Sequence, residues 1–119
     1  MHVLLVDDEE EFVSTLAERL AIRGIDAEWV TASPDAIKRV ELKTFDVAIL
    51  DVKIPKMGGL ALKERLQVKC PRMKFIFLTG HGSEKDFKTI SAQVGEDFYL
   101  VKPVDINVLI EKMKAILGE

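Results

Sequence analysis

The sequence has few of the features that mark disulfide-stabilised or membrane proteins. It contains one cysteine, Cys70, among 119 residues, so an internal disulfide cannot form and nothing requires an oxidising compartment. No apolar run approaches the roughly 20 residues that a membrane-spanning helix needs, and the N-terminal residues show no signal-peptide pattern. We therefore expect a cytoplasmic protein that does not associate with membranes.

An excess of charge of one sign is also missing. The chain carries 17 lysines and arginines against 20 aspartates and glutamates, a formal net charge of -3, which provides no basic surface for nucleic acid. Hydrophobic residues make up 48% of the chain and charged residues 31%, as in ordinary folded domains. At this length one hydrophobic core is expected. The prediction is a single domain over residues 1–119 that does not itself bind nucleic acid.

Short apolar runs alternate along the chain with segments of helical periodicity. The alternation predicts five strands and five helices. The strands are expected at 2–7, 25–30, 46–50, 73–78 and around 100–101, and the helices at 9–23, 34–43, 59–69, 84–94 and after 105.

Capping residues mark the starts of three of these helices. Ser33 precedes Pro34, which suits an N-cap followed by proline in the first turn. Ser83 with Asp86 three residues later resembles a capping box, and Asp105 is placed to cap the last helix.

The second apolar run differs from the others. In residues 25–30 the apolar Ile25, Ala27 and Trp29 alternate with charged residues, which is typical of a strand with one wet face, whereas 46–50 and 73–78 are nearly continuous in apolar residues. Alternating strands and helices predict an α/β fold with a doubly wound parallel sheet. The flavodoxin-like strand order 2-1-3-4-5 is favoured because it places the second strand at an edge.

Four of the runs end on polar residues that could take part in chemistry. The first run is followed by Asp7 and Asp8, the third by Asp51, the fourth by Thr79 and the fifth by Lys102. Ligands of open parallel sheets bind outside the carboxyl ends of the strands, at the point where strand order reverses, here between the first and third strands. These side chains are therefore expected to converge.

Three clustered carboxylates indicate a cation. Like charges raise each other's pKa and repel unless a positive ion joins them. Mg²⁺ prefers oxygen ligands and combines one or two carboxylates with phosphate oxygens. We expect Mg²⁺ to be held by Asp7, Asp8 and Asp51, with the backbone carbonyl of Lys53 as a further ligand.

The same arrangement suits phosphoryl transfer. A carboxylate beside bound Mg²⁺ can attack an activated phosphoryl group and form an acyl phosphate, and Asp51, alone at its strand end, is the candidate nucleophile. Charge on the phosphoryl oxygens needs donors already in position, a role that Lys102 and Thr79 could fill.

These residues occur within motifs that resemble a known family. The motifs are Val6-Asp7-Asp8-Glu9, Asp51 followed by Pro55 and Gly59, Leu78-Thr79-Gly80, and Tyr99-Leu100-Val101-Lys102-Pro103. In this order and register, the chain resembles, over essentially its whole length, a receiver domain of bacterial two-component response regulators.

The resemblance implies a phosphorylation-dependent switch. Asp51 would accept a phosphoryl group from a sensor histidine kinase or a histidine phosphotransfer protein in a Mg²⁺-dependent phosphorelay. Thr79 would then bond the phosphoryl group and Tyr99 turn inward, which would remodel the face of the last two helices and fifth strand. That face would act on an output domain or target protein and could pair two copies. A cis bond before Pro103 would aim Lys102.

The resemblance also implies a regulatory domain that catalyses its own phosphorylation and dephosphorylation, not a conventional enzyme. Lys53 and His81 occupy positions that influence the attacking water in this family, so they bear on the lifetime of the phosphorylated form. A haloacid-dehalogenase-like phosphohydrolase would need a second aspartate where Lys53 stands. The alternative kept open is a receiver-like interaction module that acts without phosphorylation, although the five intact site residues favour the active switch. Asp7 and Asp8 could also cap the following helix.

Overall fold

The computed structural model describes residues 1–80 and 82–119 and places five parallel strands in one sheet. The strands are β1 (His2–Val6), β2 (Asp26–Val30), β3 (Val47–Leu50), β4 (Lys74–Thr79) and β5 (Tyr99–Val101), and the helices are α1 (Glu10–Ile22), α2 (Ser33–Leu42), α3 (Gly59–Lys69), α4 (Glu84–Val94) and α5 (Ile106–Ile116). A 3₁₀ turn spans Glu96–Phe98. The sheet order is β2-β1-β3-β4-β5, so the predicted fold and strand order are confirmed.

The helices cover both faces of the sheet. Successive strand residues point to opposite faces. Accordingly Leu4 and Val6 pack into a core with α2, α3 and α4, whereas Val3 and Leu5 pack into a second core with α1 and α5. Because β1, β3 and β4 are covered on both sides, their sequences are almost continuously apolar. In the described part of the chain, no helix has both the length and the apolarity needed to cross a bilayer.

Strand β2 lies at an edge, as its alternating sequence predicts. Glu28 is partly buried there and pairs with Arg39 and Lys43. Asp26 pairs with Lys43 and, at 2.8 Å, with the Nδ1 atom of His2. Charged side chains on an edge strand discourage pairing with another sheet edge.

The structure confirms two of the three predicted helix starts. Ser83 and Asp86 form a reciprocal capping box at α4, and the Asp105 carboxylate accepts from two backbone N–H groups at α5. The prediction for Ser33 is wrong, because α2 begins at Ser33 and Ala32 is the N-cap. The Ser33 hydroxyl instead donates a 2.8 Å hydrogen bond to the carbonyl of Met57, which ties α2 to the loop after β3.

Candidate functional site

The carboxylates that follow β1 and β3 lie side by side at the edge of the sheet. Val6 and Leu50 are register partners, and the N–H of Asp51 donates to the carbonyl of Val6 at 3.0 Å. Asp7, Asp8 and Asp51 each offer a carboxylate oxygen, and these atoms lie within 4.8 Å of one another. Asp7 and Asp51 are buried and Asp8 is exposed. Three hard oxygen donors at this spacing fit a divalent metal ion.

Lys102 supplies the positive charge of the site. Its Nζ atom lies 2.7 Å from Asp7 Oδ2, 2.9 Å from Glu9 Oε1 and 3.7 Å from Asp51 Oδ2. Its backbone N–H donates to the carbonyl of Thr79 at 2.9 Å. The pairing of β4 with β5 therefore carries Lys102 to the carboxylates that follow β1 and β3.

Burial and charge shift the pKa values of this pair. Burial, with a smaller contribution from the neighbouring Asp51 carboxylate, raises the pKa of Asp7 above its ordinary value despite the hydrogen bonds from Lys102 and the Glu9 N–H. Burial alone would lower the pKa of Lys102, but its hydrogen bonds to Asp7 and Glu9, together with the attraction of the Asp7 and Asp51 charges, outweigh burial and raise that pKa. Lys102 is therefore protonated. A second cation would reduce the remaining repulsion between the neighbouring carboxylates.

Two neighbours of Lys102 were given no role in the site from the sequence. Glu9 directly follows the aspartate pair, and its carboxylate bonds the ammonium. The ring of Phe12 lies with its centroid 4.3 Å from Lys102 Nζ, although its helical spacing predicts only a core residue. The alternative that Asp7 and Asp8 cap α1 is wrong. The N-cap of α1 is Glu9, and its side chain makes no capping hydrogen bond. An acid directly after the pair was the available signal for Glu9.

Thr79 and Tyr99 come from β4 and β5, the two strands on one side of β3. Thr79 ends β4 and is almost completely buried. Tyr99 begins β5 with its ring buried edge-on against Phe87 of α4, at a centroid distance of 5.2 Å. Its hydroxyl is buried and has no hydrogen-bond partner among the described residues. A Cβ at Gly82 would lie 1.9 Å from that hydroxyl, so the glycine leaves room for Tyr99 to lie inside.

Other residues predicted for the site lie in the loop after β3, at the start of α3 and after β5. The N–H of Lys53 lies 3.3 Å from Asp51 Oδ1, and its exposed ammonium lies 3.9 Å from Asp86 at the start of α4. At Gly59 a Cβ would lie only 2.1 Å from the carbonyl oxygen of Asp51, which explains why glycine stands there. The Lys102–Pro103 bond, near the other side of the site, is cis, in agreement with expectation. His81 lies outside the described residues.

Comparison with known proteins identifies what this arrangement is similar to. The family model described as "Response regulator receiver domain" matches residues 3–114. The chain is 31% identical over 115 residues to the alkaline phosphatase synthesis transcriptional regulatory protein PhoP of Bacillus subtilis, covering 97% of this chain and 48% of that protein. It is 33% identical over 117 residues to the transcriptional regulatory protein CpxR of Escherichia coli, with coverage of 97% and 48%. The chain thus spans about half the length of these relatives.

Solved structures are similar as well. A response regulator receiver domain protein from Methanospirillum hungatei superposes with a TM-score of 0.88 at 31% identity, covering 98% of this chain and 93% of that one. A response regulator from Burkholderia pseudomallei, described with a phosphorylated aspartic acid, a calcium ion and citrate, has a TM-score of 0.85 at 26% identity, covering 98% and 68%.

Proposed function

We propose that this chain, which belongs to the response regulator receiver domain family, is a signalling switch that accepts a phosphoryl group on Asp51. Membership of the family supports a phosphorylation-dependent signalling role in general. One observation carries the choice of residue: the buried Asp51 carboxylate lies within 4.8 Å of two other carboxylates and 3.7 Å from the Lys102 ammonium. A carboxylate among metal-binding oxygens and a fixed cation suits attack on phosphorus.

Mg²⁺ is the cofactor that we assign to this cluster. Asp7, Asp8 and Asp51, with the backbone carbonyl of Lys53, would hold it. When bound, the ion would neutralise charge on the phosphoryl oxygens and help to orient the donor. The raised pKa of Asp7 supports the assignment, because it reflects burial and, to a smaller extent, repulsion by the Asp51 carboxylate, both of which a cation would offset.

The reaction would be a phosphoryl transfer from a phosphohistidine. An oxygen of Asp51 forms a bond to phosphorus as the phosphorus–nitrogen bond to the donor histidine breaks, and that nitrogen is left to take up a proton. Lys102, already beside Asp51, would bind a phosphoryl oxygen, and the Thr79 hydroxyl would donate to another. Water attack on the resulting acyl phosphate would end the signal, with Lys53 and His81 as the residues proposed to influence its rate.

The phosphorylated state would be relayed through α4, β5 and α5. Movement of Thr79 toward the phosphoryl group would change the space beside Tyr99, and the ring contact between Tyr99 and Phe87 links that space to α4. A negative phosphoryl group would thereby shift the population of a two-state element. Pairing of two copies through this face on activation is part of the proposal.

The proposed partners follow from the same reaction. A sensor histidine kinase or a histidine phosphotransfer protein would donate the phosphoryl group, and we place this exchange in the cytoplasm. An output domain or target protein would read the result. The chain would be a regulatory domain that catalyses only its own phosphorylation and dephosphorylation. The second candidate is an interaction module that acts without phosphorylation. In that case the close approach of Asp51 and Lys102 would only stabilise the fold.

The decisive experiment is intact mass spectrometry after incubation with a small acyl phosphate or phosphoramidate, with and without Mg²⁺. We expect a single-phosphate adduct that needs Mg²⁺, is absent in Asp51→Asn and persists in the control Asp97→Asn, whose carboxylate is exposed and pairs with Lys112 at 3.6 Å. An adduct retained by Asp51→Asn would refute the assignment. If no adduct is seen, beryllofluoride binding distinguishes rapid hydrolysis from an interaction module.

A further inference from the structure

A second polar cluster lies between α3 and α4, away from Asp51. Its centre is Lys63, whose side chain is buried with a residue exposure of only 6%. The ammonium donates hydrogen bonds to Gln67 Oε1 at 3.3 Å and to Gln93 Oε1 at 3.2 Å. It also lies 5.7 Å from the centroid of the Phe75 ring.

The charge of Lys63 is not balanced by a carboxylate. Across residues 1–80 and 82–119 its ammonium takes part in no ion pair, and the two amide oxygens occupy two of its three N–H groups. Burial of an ammonium is costly unless it is paired, and neutral acceptors compensate for only part of that cost. The third N–H and the charge therefore favour an anionic partner from outside the chain.

The space for such a partner is an open cleft of about 250 Å³ beside Lys63. Gln67 and Gln93 line it, and so does Lys74 at the start of β4, a second residue of positive charge. None of the described residues that line the cleft is acidic. The amide nitrogens of the two glutamines, whose oxygens face Lys63, are further donors for an oxyanion.

We propose that this α3–α4 cleft binds a small oxyanion, a carboxylate or phosphate group, with the Lys63 ammonium as its anchor. Charge-assisted hydrogen bonds from an ammonium are the stronger kind, and the amide groups of Gln67 and Gln93 would fix the orientation of the anion. The cleft is distinct from the Asp51 site, because Lys74 and Thr79 stand at opposite ends of β4, about 16 Å apart at the rise of an extended strand.

The test is an NMR titration of the whole chain with sodium phosphate and, separately, with sodium acetate, at constant ionic strength maintained with sodium chloride and without Mg²⁺. We expect saturable shifts of the backbone amides of residues 63, 67 and 93. Lys63→Met keeps the buried aliphatic stem and removes the charge, so the affinity should fall by about tenfold or more. The matched control is Lys69→Met on the same helix, which removes an exposed ammonium paired with Glu41 at 3.0 Å and should leave the affinity unchanged.

The two anions distinguish the ligand class. Saturation with phosphate alone assigns a phosphoryl group, with acetate alone a carboxylate, and with both an oxyanion site in general. Shifts that stay linear in anion concentration, that occur only around Asp51 and Lys102, or that are equal in Lys63→Met would overturn the proposal. If Lys63→Met fails to fold, Gln93→Ala replaces it, with weaker anion binding as the expected result and unchanged binding as the refuting one.

Discussion

Replacement of Gly59 by alanine tests how closely α3 must approach the end of β3. The new Cβ would lie 2.1 Å from the carbonyl oxygen of Asp51 and 3.2 Å from the ring of Phe77. Ordinary contacts of this kind lie near 3.5 Å, so the start of α3 or the end of β3 would have to move by more than about 1 Å. The opposing atom at 2.1 Å is backbone, so rotation of a side chain cannot relieve the contact.

The expected magnitude follows from two opposing effects. Forced overpacking of a tight contact costs about 1–3 kcal/mol, and a backbone clash belongs at the upper end of that range. Loss of glycine's freedom in the unfolded chain returns about 0.4–1 kcal/mol. The free energy of unfolding of Gly59→Ala should therefore fall by about 2 kcal/mol, which corresponds to a decrease in Tm of roughly 8 °C.

The assay is urea unfolding followed by the fluorescence of Trp29, the only tryptophan of the chain. Gly58→Ala is the matched control, because its Cβ would lie 3.3 Å from the carbonyl oxygen of Val52, and we expect it to change stability by less than about 1 kcal/mol. Where the contact is relieved by movement of the end of β3, the Asp51 carboxylate moves as well, and phosphorylation by a small donor should then slow. If Gly59→Ala unfolds with the same free energy as the wild type, and with the same dependence of that free energy on urea concentration, this reasoning is refuted.

Two further predictions concern charge and pH. Burial raises the pKa of Asp7, so the charged form of its carboxylate is disfavoured in the folded state. At pH 7 without metal, Asp7→Asn should therefore unfold at a higher urea concentration than the wild type, and this difference should shrink as pH falls through that pKa. The variant should also lose the stabilisation that Mg²⁺ gives to the wild type. A variant that is less stable in metal-free buffer, or still stabilised by Mg²⁺, would contradict this. The pKa of Asp86 is lowered, chiefly by the hydrogen bond from the Ser83 N–H. The charged carboxylate therefore contributes fully to the free energy of unfolding at pH values above its ordinary pKa of 3.8, and this contribution is lost as pH falls through the lowered pKa. Asp86→Asn should therefore be about 0.5–1 kcal/mol less stable at pH 7 and equal to wild type in strong acid, measured by urea unfolding at both pH values; a difference that persists in acid would show that the charge is not responsible.

Much of the fold is predictable because its signals are local. The continuous apolar runs at 46–50 and 73–78 indicate strands covered on both faces, and the alternation at 25–30 indicates an edge. The capping box at Ser83 lies within four residues of sequence. The convergence of Asp7 and Asp51 follows from strand order, since the ends of adjacent parallel strands share one edge.

The sequence alone therefore determined the elements, their order in the sheet and the edge at which the acidic residues meet. Tertiary structure decided the pairings between distant residues: Glu9 with Lys102, the Ser33 hydroxyl with the Met57 carbonyl, and Lys63 with Gln93. These partners are separated by 93, 24 and 30 positions, and no periodic pattern connects them. Helix and strand signals come from neighbours a few residues apart, whereas a side chain's partner depends on how the completed helices pack against the sheet.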